Sequence, residues 1–201
     1  MTDSSVASAR VYGGVSADER RAQRRQRLVD AGLELFGTRG VAAVGIGDIC
    51  AEAGLIKRYF YENFSSIDDL AVAVFEQITD SLVEQVLPAI VAGGGTDPRP
   101  ALTAYVNGAL ADARVARLLA VEGRTGALAR HGDGFATRAV ELWIGYTPAV
   151  KGQDEAKLRV RAYAFAGALT QVIFAWHDGA LDLTTEQTID ELVDIFTALA
   201  P

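Results

Sequence analysis

Apolar residues along most of this chain recur every three or four positions, the spacing that gathers them on one face of a helix. Leu28, Ala31, Leu35 and Phe36 form the first such stripe. Ser16 and Glu19 stand before it at capping-box spacing, so a helix is expected from about Ala17, ended by Gly37 and Gly40. The stretch 45–64, GIGDICAEAGLIKRYFYENF, is denser. Ile46, Ile49 and Ala53 share one stripe, Gly54 interrupts where a sharp turn needs a positive backbone angle, and Leu55, Phe60 and Phe64 supply burial beyond it. Two short helices joined at a glycine form a helix-turn-helix, whose second helix enters the major groove of DNA. The competing reading is a tight corner in an ordinary helical core.

Ser65 and Asp68 give the next capping spacing, ahead of an expected long helix over about 66–92 with Leu70, Val74, Ile78, Leu82 and Val86 on one face. The run from Gly93 to Pro100 is the clearest loop. Helices are then expected at about 100–111, 112–122 and 126–146, separated by glycines at 123, 126, 132 and 134, with a break from Thr147-Pro148 through Gly152. Asp154 caps a helix running to His177, where Leu158, Ala162, Phe165, Leu169, Val172 and Trp176 keep helical spacing. Thr184 and Gln187 cap the last helix, carrying Ile189, Leu192, Val193, Phe196 and Leu199. Strand-like alternation is absent. The expected fold is all-α, with about nine helices and no internal repeat.

Length and composition narrow this picture. A chain of 201 residues holds one ordinary core, or a small domain joined to a larger one. No apolar run reaches the roughly 18 residues of a membrane span, and no charged-then-apolar leader opens the chain, so a cytoplasmic protein is expected. The single cysteine, Cys50, excludes an internal disulfide and a cysteine-rich zinc site, and is expected as a small buried residue where helices cross. Net charge is −7, but unevenly spread. Residues 1–64 hold nine Lys/Arg against eight Asp/Glu, a balance of +1, and residues 65–201 hold ten against eighteen, a balance of −8. Arg20, Arg21, Arg24, Arg25 and Arg27 cluster together. The division expected is a flexible tail at 1–15, a DNA-binding head at 16–64 and a helical body at 65–201.

The run RRQRLVDAGLELFGTRG, then DICAEAGL, then KRYFYENFSSIDDL, across residues 20–70, resembles the signature of the TetR (tetracycline-repressor) family of bacterial transcriptional regulators. Ala31, Leu35, Phe36, Gly40, Asp48, Ile49, Ala53, Gly54, Tyr61, Phe64 and Leu70 carry the match, without gaps. The resemblance implies a three-helix helix-turn-helix head and a roughly six-helix body. That body would dimerise through its last two helices, about 154–178 and 184–199, and would hold an unknown small-molecule effector. Gly45, Gly47, Ile56 and Ile67 depart from the pattern, standing where polar residues that reach DNA are frequent.

On this reading Lys57 and Arg58 present donors suited to guanine edges, or to phosphate alone. Tyr59 would pack on a thymine methyl or a sugar, and Tyr61 resembles the family's phosphate-binding tyrosine. Asn63 would bond a phosphate or its own backbone. The amides at Gly45 and Gly47 would receive a phosphate at a helix N-terminus, and one or two of the clustered arginines would reach the DNA backbone. In the body, the aromatics Tyr105, Trp143, Tyr146 and Phe165, with Asn107 and Gln171 as polar anchors, are the expected pocket residues; Arg130 and His131 are further anchors. No cofactor or metal is implied. Neither His131 nor His177 has a Glu three positions before it, as a helical-bundle metal site needs, and no phosphate-binding glycine loop or nucleophile elbow occurs. The expected function is a ligand-responsive regulator, a homodimeric repressor released from operator DNA by a small molecule. The alternative is a dimer of the same fold without strong DNA binding, acting through a protein partner.

Overall fold

A computed structural model describes residues 16–146 and 154–199, all helix and connecting turns, with no strand among them. The tail at 1–15, the break from Thr147 through Gly152 and the side chain of Tyr146 lie outside the described residues. Nine α-helices follow one another among those residues: α1 (Ala17–Arg39), α2 (Ile46–Glu52), α3 (Lys57–Tyr61), α4 (Ile67–Ala92), α5 (Arg99–Leu110), α6 (Ala113–Ala120), α7 (Ala129–Tyr146), α8 (Glu155–His177) and α9 (Thr185–Leu199). Single helical turns at Glu122–Arg124 and Gly126–Leu128 join α6 to α7, so α7 begins three residues later than the glycine pattern implied.

The capping chemistry explains most of these boundaries. Ser16 Oγ accepts the Glu19 amide at 3.0 Å while the Glu19 carboxylate returns to the Ser16 amide, closing the expected box. Thr184 and Gln187 do the same for α9. Asp154 accepts from the Ala156 amide at 3.1 Å to start α8. At α4 the expectation was one residue early. Ser66, not Ser65, is the cap, accepting the Asp69 amide at 3.1 Å, and the Asp69 carboxylate takes the Ser65 amide instead. Two adjacent serines offer the same chemistry, and the carboxylate at 69 decides between them.

Gly37 was also misassigned. It lies buried inside α1, which runs on to Arg39, and a Cβ there would come within 2.8 Å of the Arg114 Cα. Its role is to let α6 pack directly on α1. Gly40 ends the helix, at φ +85. Gly132 and Gly134 likewise lie within α7 and do not break it; a Cβ at Gly132 would run into the Gly123 carbonyl.

One buried cluster joins α1–α3 to the rest. Leu28, Phe36, Ile49 and Phe60 pack in continuity with Leu70, Phe75, Leu118, Leu128 and Ile173. Cys50 is buried in this cluster, and burial pushes its thiol up from the ordinary value. Of the stripe on α4, Leu70, Val74, Ile78 and Leu82 are buried and Val86 is partly so. A second cluster gathers Leu102, Val106, Phe165, Ile189 and Leu192 between α5, α8 and α9. Arg99 fastens the start of α5 to α9 through Asp190 at 2.5 Å and Glu186 at 3.5 Å.

Candidate nucleic-acid interface and internal cavities

The turn between α2 and α3 depends on Gly54, at φ +61, a conformation an L side chain adopts only under strain. A Cβ there would also press on the Arg27 guanidinium at 2.9 Å. Below the turn, Ile49, Ala53, Phe60 and Phe64 are buried, so the α3 backbone is held rigidly while its outer positions face solvent.

The arginines on α1 stay largely exposed, yet several reach across to the other two helices. Arg27 donates to the Ala53 carbonyl at 2.5 Å and to that of Gly54 at 3.3 Å, filling acceptors left open at the end of α2. Arg21 donates to the Glu62 carbonyl at 2.7 Å, just past α3. Arg24 stacks over the Tyr59 ring, 4.6 Å from its centre, and approaches Glu62 at 3.9 Å; Arg25 lies 5.0 Å over the Phe64 ring. These side chains tie the first helix to the other two. Arg21, Arg25 and Arg27 nonetheless remain exposed to solvent, and Arg24 is half-buried.

The predicted reading residues divide into free and engaged groups. Lys57 is exposed and has no ion pair or hydrogen bond with another described residue. Tyr61 is 60% exposed, its ring edge against Phe60. Arg58 is also exposed but pairs with Glu62 at 2.9 Å, four residues on. Tyr59 is half-buried beneath Arg24, and Asn63 donates its amide to the Tyr59 carbonyl at 2.8 Å, the local alternative left open for it. The Gly45 amide is already taken by the Asp48 carboxylate at 2.9 Å, so it is not an open donor for phosphate. Gly47 faces open space.

In the body, an apolar cavity of about 150 Å³ lies between α4, α5, α7, α8 and α9, lined by residues that include Leu82, Tyr105, Leu142, Trp143, Phe165 and Phe196. Phe196 meets Phe165 edge-on at 5.2 Å and Trp143 at 5.7 Å. Tyr105, Trp143 and Phe165 thus line one cavity. A second cavity of about 380 Å³ is lined by polar Arg124, Asp133, Thr170 and Gln171 together with Tyr105 and Phe135. Gln171 belongs to this second chamber, not to the apolar one. Asn107 lines neither. Val106 is fully buried, and one residue further round α5 the side chain has rotated out to solvent. Arg130 is exposed, and His131 sits 3.6 Å from the Glu76 carboxylate on the outer surface. Sequence reasoning missed Arg124, whose glycine-flanked position read only as a chain break, and Phe196, whose spacing on α9 read as core. No group of three or more metal-ligating side chains occurs among the described residues, and no described helix is long and apolar enough to cross a membrane.

Helices α1–α3 thus form a helix-turn-helix unit packed on further helices that enclose an internal cavity. Residues 28–74 match the model of the bacterial regulatory proteins of the TetR family. Over 86 residues, covering 43% of this chain and 38% of the relative, it is 38% identical to the HTH-type transcriptional activator FasR of Mycolicibacterium smegmatis. Over 141 residues, 70% of this chain and 59% of the relative, it is 26% identical to the HTH-type transcriptional regulator BetI of Rhizobium meliloti. The chain therefore spans less than two thirds of either curated relative. A TetR-family regulator structure from Syntrophomonas wolfei shares the fold, with a TM-score of 0.73 at 15% identity, over 89% of this chain and 95% of that one. Residues 28–74 thus match the TetR family, and the chain shares its fold with solved TetR-family structures.

Proposed function

We propose that the protein is a DNA-binding transcriptional regulator, a homodimeric repressor released from operator DNA by a small molecule held in the apolar cavity. The observation that carries this reading is the outer surface of α3. Lys57 and Tyr61 stand exposed on a buried, rigid scaffold, while the neighbouring arginines are occupied within the head. A lysine without a carboxylate partner is free to meet a guanine edge or a phosphate, and the Tyr61 hydroxyl to meet a phosphate. Two such helices, one from each protomer, would read half-sites about one helical turn apart or more.

The outer side of α8 supports the dimer. Val160 is 69% exposed and Tyr163 47%, beside the exposed small residues Ala164 and Gly167. Small residues at helical spacing between larger apolar ones permit close helix approach, which suits pairing of α8 and α9 with their counterparts in a second copy.

The test is an anisotropy titration on DNA flanking the protein's own gene, across a range of salt. Salt-sensitive, sequence-preferring binding is expected, weakened by Lys57→Ala and Tyr61→Phe without loss of the dimer. Normal binding by both variants would overturn the placement of the reading surface. One observation favours a second reading. Ile56, at the start of α3, is 61% exposed, an apolar group where DNA contact would call for a polar one. A stable dimer with no salt-dependent DNA affinity would establish that reading, with Ile56 part of a protein-binding surface.

A further inference from the structure

We infer that the polar cavity receives the anionic head of an amphipathic ligand whose alkyl chain lies in the apolar cavity. This rests on the effector reading proposed above. Tyr105, Phe135, Ala136 and Thr170 line both cavities, so the two chambers lie back to back across four side chains. A molecule that passes this partition occupies both.

The walls differ in chemistry. Around the apolar chamber, Asp97 is the one charged side chain, and the rest is aliphatic or aromatic apart from Thr96, Thr170 and the Tyr105 hydroxyl. Such a wall selects a chain without polar atoms, since any buried polar group there would lose its hydrogen bonds to water. Around the polar chamber the uncommitted groups are mainly donors. Arg124 Nη1 donates to Gln171 Oε1 at 3.0 Å, which fixes the amide so that its Nε2 hydrogens remain available. The other guanidinium hydrogens have no partner among the described residues. Thr170 donates to the Ala166 carbonyl at 3.1 Å. The Tyr105 hydroxyl makes no hydrogen bond to a described residue, and burial pushes its ionisation upward, so it stays a neutral donor. Arg124 and Gln171 therefore meet as donors in one chamber, with Tyr105 in the partition between the two. Their complement is an oxygen-rich anion, a carboxylate or a phosphate, and a guanidinium is the side chain best shaped for either. Asp133 is the one carboxylate in that wall and, like Arg124 and Gln171, it is exposed.

The experiment titrates the full chain, below micellar concentrations, with decanoate, decyl phosphate, 1-decanol and decyltrimethylammonium, read by calorimetry and by tryptophan fluorescence. Decanoate or decyl phosphate should bind at least about tenfold more tightly than decanol, and the stronger of the two identifies the head. Shortening that chain by one methylene should weaken binding roughly fourfold. Arg124→Gln, at an exposed position, should keep the melting temperature and erase the anion's advantage while leaving decanol unchanged. Leu142→Trp should fill the apolar chamber and abolish binding of every probe. Equal affinity for all four heads would overturn the anionic-head inference and leave the apolar cavity as the effector site. Preference for the ammonium would overturn it in favour of Asp133. No binding by any probe would remove the effector reading itself.

Discussion

Glu122 reaches from the body to the head and holds the backbone of Val41. Its Oε2 accepts the Val41 amide at 3.3 Å, and its Oε1 takes Arg117 at 3.4 Å. Val41 follows Gly40, the residue that ends α1, and Glu122 precedes Gly123 and Arg124, which line the polar cavity. One short turn of chain thus touches the cavity with two residues and the head with the residue before them.

Glu122→Ala removes the acceptor from both a backbone amide and a guanidinium. The expected loss is about 1–3 kcal/mol, seen as a fall in melting temperature of roughly 3–8 °C. Glu122→Gln, which keeps one carbonyl acceptor, should lose less. If the turn carries the signal, ligand will change DNA affinity less in the alanine variant than in the natural protein. Parallel DNA titrations with and without ligand measure that difference directly.

Two glycines should respond in opposite directions. Gly37→Ala forces a methyl against the Arg114 backbone and should destabilise by about 1–3 kcal/mol. Gly47→Ala adds its methyl in open space within α2, and should stabilise by roughly 0.5–1 kcal/mol through helix propensity alone. Chemical denaturation of the two variants separates them.

Arg27 and Lys57 form a similar contrast. Arg27→Ala leaves the Ala53 and Gly54 carbonyls without their donor and should cost about 1–3 kcal/mol of stability. Lys57→Ala should leave the melting temperature unchanged and reduce the slope of log affinity against log salt by about one. A stability loss at Lys57, or none at Arg27, would contradict the division between free and engaged cations.

Acid should weaken the α1–α6 contact. Arg114 bridges Asp112 and Glu34, each at 2.5 Å, and its guanidinium holds the Asp112 carboxyl below the usual aspartate range. The folded value is depressed, so this contribution is complete above the ordinary aspartate value of about 3.9 and is lost as pH falls below it. Asp112→Asn, which retains capping ability, should melt lower at neutral pH and lose less further stability between about pH 5 and pH 3. Melting curves across that range check the sign.

Local signals were legible where the physics is local. Ser16 with Glu19, Thr184 with Gln187, the left-handed Gly54 and the buried stripe of α4 could all be read from neighbours within a turn or two. The errors came from distant partners. Nothing near Gly37 announces Arg114, so a helix-interior glycine read as a stop, and nothing near Arg27 announces the Ala53 carbonyl to which it donates. The cavity was partly legible through its aromatics. Of its polar neighbour, Gln171 was legible but Arg124 was not, because the two meet only after α6, α7 and α8 have packed.

The core that encloses Leu28 and Phe36 also encloses Leu118 and Ile173. A head built this way is not a bead on a tether, free to swivel by small degrees. It can change its orientation only if close-packed side chains exchange one interlocked arrangement for another. Whatever moves it must act all or none on each molecule, and a graded response in a population would report how many molecules had switched, not how far each had turned.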